Sequence, residues 1–260
     1  MPFVTANDVR LYYEETGAGP PLLLIHGLGS STRDWWRQVE HFADQYRVIT
    51  FDVRGHGRSD KPPGPYHIPL FAEDTAQLLQ ALDAAPAHVI GLSMGGMIAF
   101  QLAADHLDLV RRLVIVNSTP EARLDSLKDR WIYWSRRLVT QVLGVRRTGQ
   151  FLADRIFQKP EQGTLRQQFE ARWAENDEAA YLAAIDAIAG WSVEERLPEI
   201  TCPTLVIAAD EDYTPVADKR RYVAQMPDAR LAVVPDSRHA TPVEQAEAFN
   251  RTVAQFLAGG

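Results

Sequence analysis

At 260 residues, 46% hydrophobic and 23% charged, the chain is long enough to bury a core without staples and has none of the bias of disordered or collagen-like sequences. Its 27 basic and 34 acidic side chains leave a formal charge of -7, which argues against nucleic acid as a partner, because phosphate binding draws on clustered Lys and Arg. The single cysteine, Cys202, excludes an internal disulfide and a Cys-rich zinc site and reads as packing.

The first residues lack the basic start and apolar stretch of a secretory signal, and no apolar run approaches the ~18 residues of a membrane span. A cytoplasmic location with no membrane partner is expected. Phe3 to Thr5 and Val9 to Glu14 read as two strands turning at Asn7-Asp8, residues suited to a tight hairpin. Leu22 to Ile25, Val48 to Phe51, His88 to Gly91, Leu113 to Val116, Leu205 to Ala209 and Leu231 to Val234 are short apolar runs, each followed by a helical pattern. Buried parallel strands with crossover helices read this way. The expected fold is α/β: a mostly parallel, doubly wound sheet of about eight strands behind an antiparallel edge.

Helix starts stand out along the same pass. Ser31-x-x-Asp34 and Thr241-Pro242-Val243-Glu244 have the form of capping boxes, and Thr214-Pro215 pairs a cap residue with proline at the first helical position. The last helix is expected to bury Val243, Ala246, Phe249, Val253 and Phe256 on one face. From about 118 to 195 only helical patterns occur, so residues 119–195 are expected to form a helical cap inserted into a core of residues 1–118 and 196–260. Within it, Arg130, Arg136, Arg137, Arg146 and Arg147 are offset in their stretch by one acid, Asp129. That run reads as a solvated helix face, with a pocket for a carboxylate-bearing substrate as the alternative.

Gly91-Leu92-Ser93-Met94-Gly95 joins an apolar strand to a helical stretch, the context of a nucleophile elbow. The turn is so tight that side chains two before and two after the serine would strike backbone, which calls for glycine at both places. A serine hydroxyl is a weak nucleophile at neutral pH and needs a base, and the base needs an orienting group. His239 follows the run Leu231 to Val234. Asp210, Glu211 and Asp212 all follow Leu205 to Ala209, and the residues alone leave the acid open among them. Both loops fall at carboxyl ends of strands, where parallel sheets place their sites. In His26-Gly27-Leu28-Gly29 the glycines let the backbone turn its amides inward. Leu28 N–H and Met94 N–H are the expected oxyanion donors, with His26 bracing the loop.

These residues resemble the α/β-hydrolases with a helical cap, a family of carboxylesterases, enol-lactonases, perhydrolases and carbon–carbon bond hydrolases. The likeness spans nearly the whole chain and adds Asp52-Val53-Arg54-Gly55-His56-Gly57-Arg58-Ser59, similar to the family's loop after the fourth strand. Asp210-Glu211-Asp212-Tyr213-Thr214-Pro215 is similar to its acid loop and implies Asp212 as the acid. The variant with its acid after the sixth strand is disfavoured, because Asn117-Ser118 stands there. The resemblance implies cofactor-free hydrolysis of a small-molecule ester or lactone, by Ser93, His239 and Asp212, through an acyl-enzyme. Carbon–carbon bond hydrolysis and a slowly turning ligand receptor are the alternatives. Trp131, Trp134, Trp173 and Trp191 are candidates to roof the substrate pocket, Trp131, Trp134 and Trp191 foremost, with the cap's own core as the alternative.

Overall fold

The computed structural model describes residues 2–259, so the outermost residue at each end of the expected core lies outside it. Eight strands, β1 (Phe3–Ala6), β2 (Val9–Thr16), β3 (Pro21–Ile25), β4 (Arg47–Phe51), β5 (Ala87–Leu92), β6 (Val110–Val116), β7 (Thr204–Ala209) and β8 (Ala229–Val234), form one sheet. Their order is β1-β2-β4-β3-β5-β6-β7-β8. β2 runs antiparallel to β1 and to β4, and every other neighbouring pair is parallel.

Each strand sits where an apolar run predicts it, because the central strands are covered on both faces. Leu22 and Leu24 pack on one side with Trp35, Phe42, Phe249 and Val253, whereas Leu23 and Ile25 pack on the other with Phe71, Leu78, Ile98 and Phe100. Several strands outrun their apolar cores. β6 begins at Val110 and β8 at Ala229, ahead of the expected Leu113 and Leu231, since pairing with β5 and β7 continues past the residues that are buried. The first hairpin turns on Asn7 and Asp8, with φ of 49° and 59°, the left-handed pair that its twist requires.

The helices are α1 (Trp36–Phe42), α2 (Ile68–Ala81), α3 (Met94–Asp105), α4 (Leu127–Ile156), α5 (Gly163–Trp173), α6 (Glu178–Ile188), α7 (Val216–Val223), α8 (Thr241–Glu244) and α9 (Ala246–Leu257). Among the described residues, none is long and apolar enough to cross a membrane. α4 to α6 fill the connection between β6 and β7, and α4 kinks at Gly144, where φ is 76°. Its face with Leu127, Trp131, Trp134, Leu138 and Val142 is exposed.

The expected capping boxes do not form as such, since their side chains have partners elsewhere in the fold. Ser31 makes no capping bond; Asp34 instead takes the Ser30 hydroxyl and pairs with Arg172. Thr214 donates to Asp212 and leaves Pro215 as the residue before α7. Thr241 lies inside α8, its hydroxyl donating to the Arg238 carbonyl at 2.9 Å, while Ala240 takes the cap position. The last helix is also interrupted at Gln245 (φ -124°, ψ 47°). Val243 therefore belongs to a separate turn, and Phe249, Val253 and Phe256 carry the docking on the sheet.

Chain direction across the sheet reverses between β3 and β5: the connection from β3 leads outward to β4, and that from β5 leads the other way to β6. The crevice outside the carboxyl ends of two such strands is where α/β sheets hold ligands. Leu28 and Ser93 are on its two sides.

Candidate active site

Ser93 occupies the sharp turn from β5 into α3 with φ 56° and ψ -118°, a conformation a non-glycine residue holds only under constraint. Its amide donates to the Val116 carbonyl at 3.0 Å, and its carbonyl accepts the Ser118 hydroxyl at 2.6 Å. A Cβ at Gly95 would fall on the Ile25 carbonyl oxygen, and one at Gly91 on the Gly95 carbonyl oxygen. Glycine at both positions is thus a steric requirement of the turn.

His239 follows β8 and stands against Asp212, with Nδ1 2.9 Å from Oδ1. The Asp212 side chain is fully buried. Burial alone would raise its carboxyl, but the hydrogen bond and charge of His239, the Thr214 hydroxyl and Lys219 outweigh that and hold it below the usual carboxylate range. An ionised Asp212 only accepts, so Nδ1 carries the imidazole proton and Nε2 is left as the acceptor.

Lys219 is 1% exposed. Its ammonium donates to the Thr214 carbonyl at 2.8 Å and lies 3.4 Å from Asp212 Oδ2. Burial lowers its pKa against the pull of the same carboxylate. The acid is therefore shared between a histidine and a lysine.

Nε2 of His239 meets the Tyr213 hydroxyl at 2.7 Å, and the two rings stack at 4.3 Å. Among the described residues Ser93 Oγ makes no hydrogen bond to His239. The Tyr213 oxygen lies close enough to Ser93 for the serine to influence its ionisation, although burial, with the charge of Asp212, keeps the phenol protonated. The ring is 57% exposed along the cleft while the hydroxyl reaches its deep end. Outside it opens a cavity of about 160 Å³ lined by Arg155, Ile156, Gln158, Glu211, Tyr213, Arg238 and His239.

The loop after β3 faces the elbow; a methyl on Gly27 would sit 3.3 Å from Ser93 Cβ. His26 is fully buried, with Nδ1 2.8 Å from the Gly27 carbonyl and Nε2 accepting the Val53 amide at 2.9 Å. Burial lowers its pKa, so it braces the loop as a neutral ring. Asp52 accepts the Thr32 amide at 2.8 Å and the Arg58 amide at 2.7 Å, tying the loops after β3 and β4 together. The Leu28 and Met94 amides donate to no other group among the described residues. Two free donors thus border the elbow.

Three of the four expected pocket tryptophans are not brought to this site. Trp131 and Trp134 are 71% and 60% exposed on the outer face of α4, and Trp191 is buried beneath the segment with its indole N–H on Gln101 at 2.8 Å. Amphipathic spacing identifies a stripe but not whether it faces the crevice or the solvent. Trp173 is the indole that reaches the crevice, packed on Gly29 so closely that a Cβ there would overlap its ring.

Composition and spacing did not single out Lys219, Tyr213 or Asn117 for these roles. Asn117, at φ 44°, donates from Nδ2 to the Arg238 and His239 carbonyls at 3.2 and 3.0 Å and to the Thr241 hydroxyl at 2.8 Å. Its Oδ1 accepts the Ala209 amide at 2.8 Å. A short polar residue at the end of an apolar strand was the only cue.

Glu244 supports the histidine loop from the other side, accepting the Ala240 amide at 2.8 Å and the Arg238 amide at 3.3 Å. Burial pushes its carboxyl from the ordinary 4.5 up to about 7, against those two bonds. Between these values the folded chain holds a proton that the unfolded chain has released, so stability should fall as pH rises through that window, by on the order of 3 kcal/mol. Denaturant unfolding of the protein and of Glu244→Gln from pH 4.5 to 7.5 checks this. The variant should lose that component of the slope, and an unchanged slope would count against the assignment.

A family profile described as alpha/beta hydrolase fold matches residues 20–246. A protein of Azorhizobium caulinodans named as a carbamate hydrolase, RutD, is 32% identical over 98% of this chain and 98% of its own. The 3-oxoadipate enol-lactonase 2 of Acinetobacter baylyi is 29% identical over 98% and 95%. Among solved structures, the enol-lactonase from Burkholderia xenovorans LB400 superimposes with a TM-score of 0.91 at 28% identity, over 99% of this chain and 100% of that one.

Proposed function

The chain belongs to the α/β-hydrolase fold family, and from that premise we propose that it hydrolyses a small-molecule carboxylic ester or lactone through an acyl-enzyme on Ser93. The observation that carries the reading is the His239–Asp212 pair, whose Nε2 meets the Tyr213 oxygen beside the elbow serine. Residues 119–195 act in it as the cap over the crevice.

In this mechanism Ser93 Oγ attacks the carbonyl carbon as Nε2 of His239 takes its proton, and Asp212 stabilises the imidazolium that forms. Negative charge develops on the carbonyl oxygen between the Leu28 and Met94 amides. Each such donor is typically worth about 2.7 to 4 kcal/mol in the transition state, against about 0.3 to 1 kcal/mol for the end of α3, so the two amides dominate. His239 returns the proton to the departing alkoxide. Water, deprotonated by the same nitrogen, then releases the acid.

Tyr213 must leave Nε2 before that nitrogen can serve Ser93. A neutral hydrogen bond contributes about 0.5 to 1.5 kcal/mol net, so Tyr213→Phe should raise kcat/KM by roughly two- to tenfold. Steady-state kinetics on one ester decides it. A fall of an order of magnitude would instead give the phenol a part in the chemistry.

The reading as a whole is tested with chromogenic esters of graded chain length, lactones, a carbamate and a vinylogous diketone. Multiple turnover on an ester or lactone supports it. Turnover confined to the diketone would favour carbon–carbon cleavage, and a single slow turnover leaving modified protein would favour a receptor.

A further inference from the structure

We infer that Arg136 is a carboxylate-binding residue inside the cleft, so that the substrate is an ester or lactone carrying its own free carboxylate. The inference rests on the proposed hydrolase reading and deepens it. Of the six arginines on α4, Arg155 is exposed at the rim of the cavity beside His239, and four more have ordinary surroundings. Arg137 pairs with Asp186 at 2.5 Å, Arg130 donates to the Leu124 carbonyl at 2.9 Å, and Arg146 and Arg147 are exposed.

Arg136 differs. It lies on the inward face of α4 with Tyr133 and Thr140, opposite the exposed row of Trp131, Trp134 and Leu138. Its Nη2 donates to the buried Tyr181 hydroxyl at 3.1 Å. Its Nε is buried with no partner, and among the described residues no carboxylate lies within ion-pair distance of it. Tyr181 in turn packs edge-on against Trp173, with ring centres 5.6 Å apart, and Trp173 covers Gly29 in the loop of the expected oxyanion donors. The protonated Tyr213 hydroxyl lies near the guanidinium, whose charge works against the effect of burial on the phenol.

A cation withdrawn from water is costly unless an anion meets it. Guanidinium keeps its proton at any working pH, so neutralisation offers no escape. Among the described residues no carboxylate pairs with it, and nearby stands Tyr213, the group that has to move in the proposed mechanism. A substrate entering as Tyr213 leaves would bring its carbonyl to Ser93 and its carboxylate to Nε and the free edge of Arg136. Planar, paired donors of this kind suit a carboxylate and discriminate against its neutral ester.

The test compares the mono-p-nitrophenyl ester of glutaric acid with the same compound capped as its methyl ester. The native protein should prefer the acid by at least about tenfold in kcat/KM. Arg136→Gln should lose about 30- to 100-fold on the acid and less than about threefold on the capped ester, with Arg136→Lys between. Equal rates on the two esters in the native protein would overturn the inference, as would a parallel loss on both in Arg136→Gln. Binding separates it from the hydrolase reading. Calorimetric titration of Ser93→Ala with monomethyl glutarate should show an affinity that drops about 30-fold or more when Arg136→Gln is added. An Arg136-dependent affinity in a protein that turns over neither ester would uphold the anion site and sink the hydrolase reading. Affinity indifferent to residue 136 would sink the anion site, whereas turnover of either ester by the native protein would still uphold the hydrolase reading.

Discussion

Ser93→Ala is expected to lower kcat by about 10⁶ while leaving substrate binding nearly unchanged. The scale follows from what remains. Without the hydroxyl no acyl-enzyme forms, and only the Leu28 and Met94 amides and the positioning of the substrate are left, a residue of catalysis typically worth 10³ to 10⁴ over water. Alanine adds no bulk at the elbow, and φ of 56° is no worse for it than for serine, so folding should be retained. Circular dichroism of the variant and active-site titration of the native protein, which should release one leaving group per chain in a burst, complete the measurement. A variant within tenfold of native turnover would remove Ser93 from the mechanism.

Asp212→Asn should damage two properties at once. Turnover should fall by about 10⁴, because an amide cannot hold His239 with its proton on Nδ1 and cannot balance the imidazolium. Stability should fall by about 3 to 5 kcal/mol as well, because Lys219, buried beside Oδ2, loses the charge that offsets its desolvation. Lys219→Met in the same chain should recover most of the stability and none of the activity. The single variant should also show a pH signature. An unpaired buried ammonium titrates below its unfolded value, so between the two pKa values the unfolded chain binds the extra proton, and stability should rise with pH through the alkaline range. Denaturant midpoints at pH 7 and pH 10 for the single and double variants decide it. A single variant as stable as the native protein would mean that Lys219 needs no counter-ion.

The sheet was legible because buried parallel strands are written as unbroken apolar runs, and the elbow because its glycines answer to collisions that any side chain would cause. Asn7-Asp8 predicted its turn for the same kind of local reason. Ser31, Thr214 and Thr241 show where local reading ends. A hydroxyl placed to cap a helix also serves any acceptor that the tertiary fold brings nearer, and here Thr214 goes to Asp212 and Thr241 to Arg238. Trp131 and Trp134 show a second limit: an apolar stripe on a helix reads the same whether it faces the interior or, as here, the solvent. Lys219 and Asn117 were invisible in their roles for a third reason, since burial of a polar group leaves no periodicity behind it.

Asn117 has one more consequence. Through a single carboxamide the end of β6 grips both the histidine turn and the last residue of β7, so the proposed base and acid hang from one support that keeps their separation. A descendant could preserve serine, aspartate and histidine at their places and still drift into inactivity by altering that amide. It would retain every reagent and forfeit the frame that sets the distance between them.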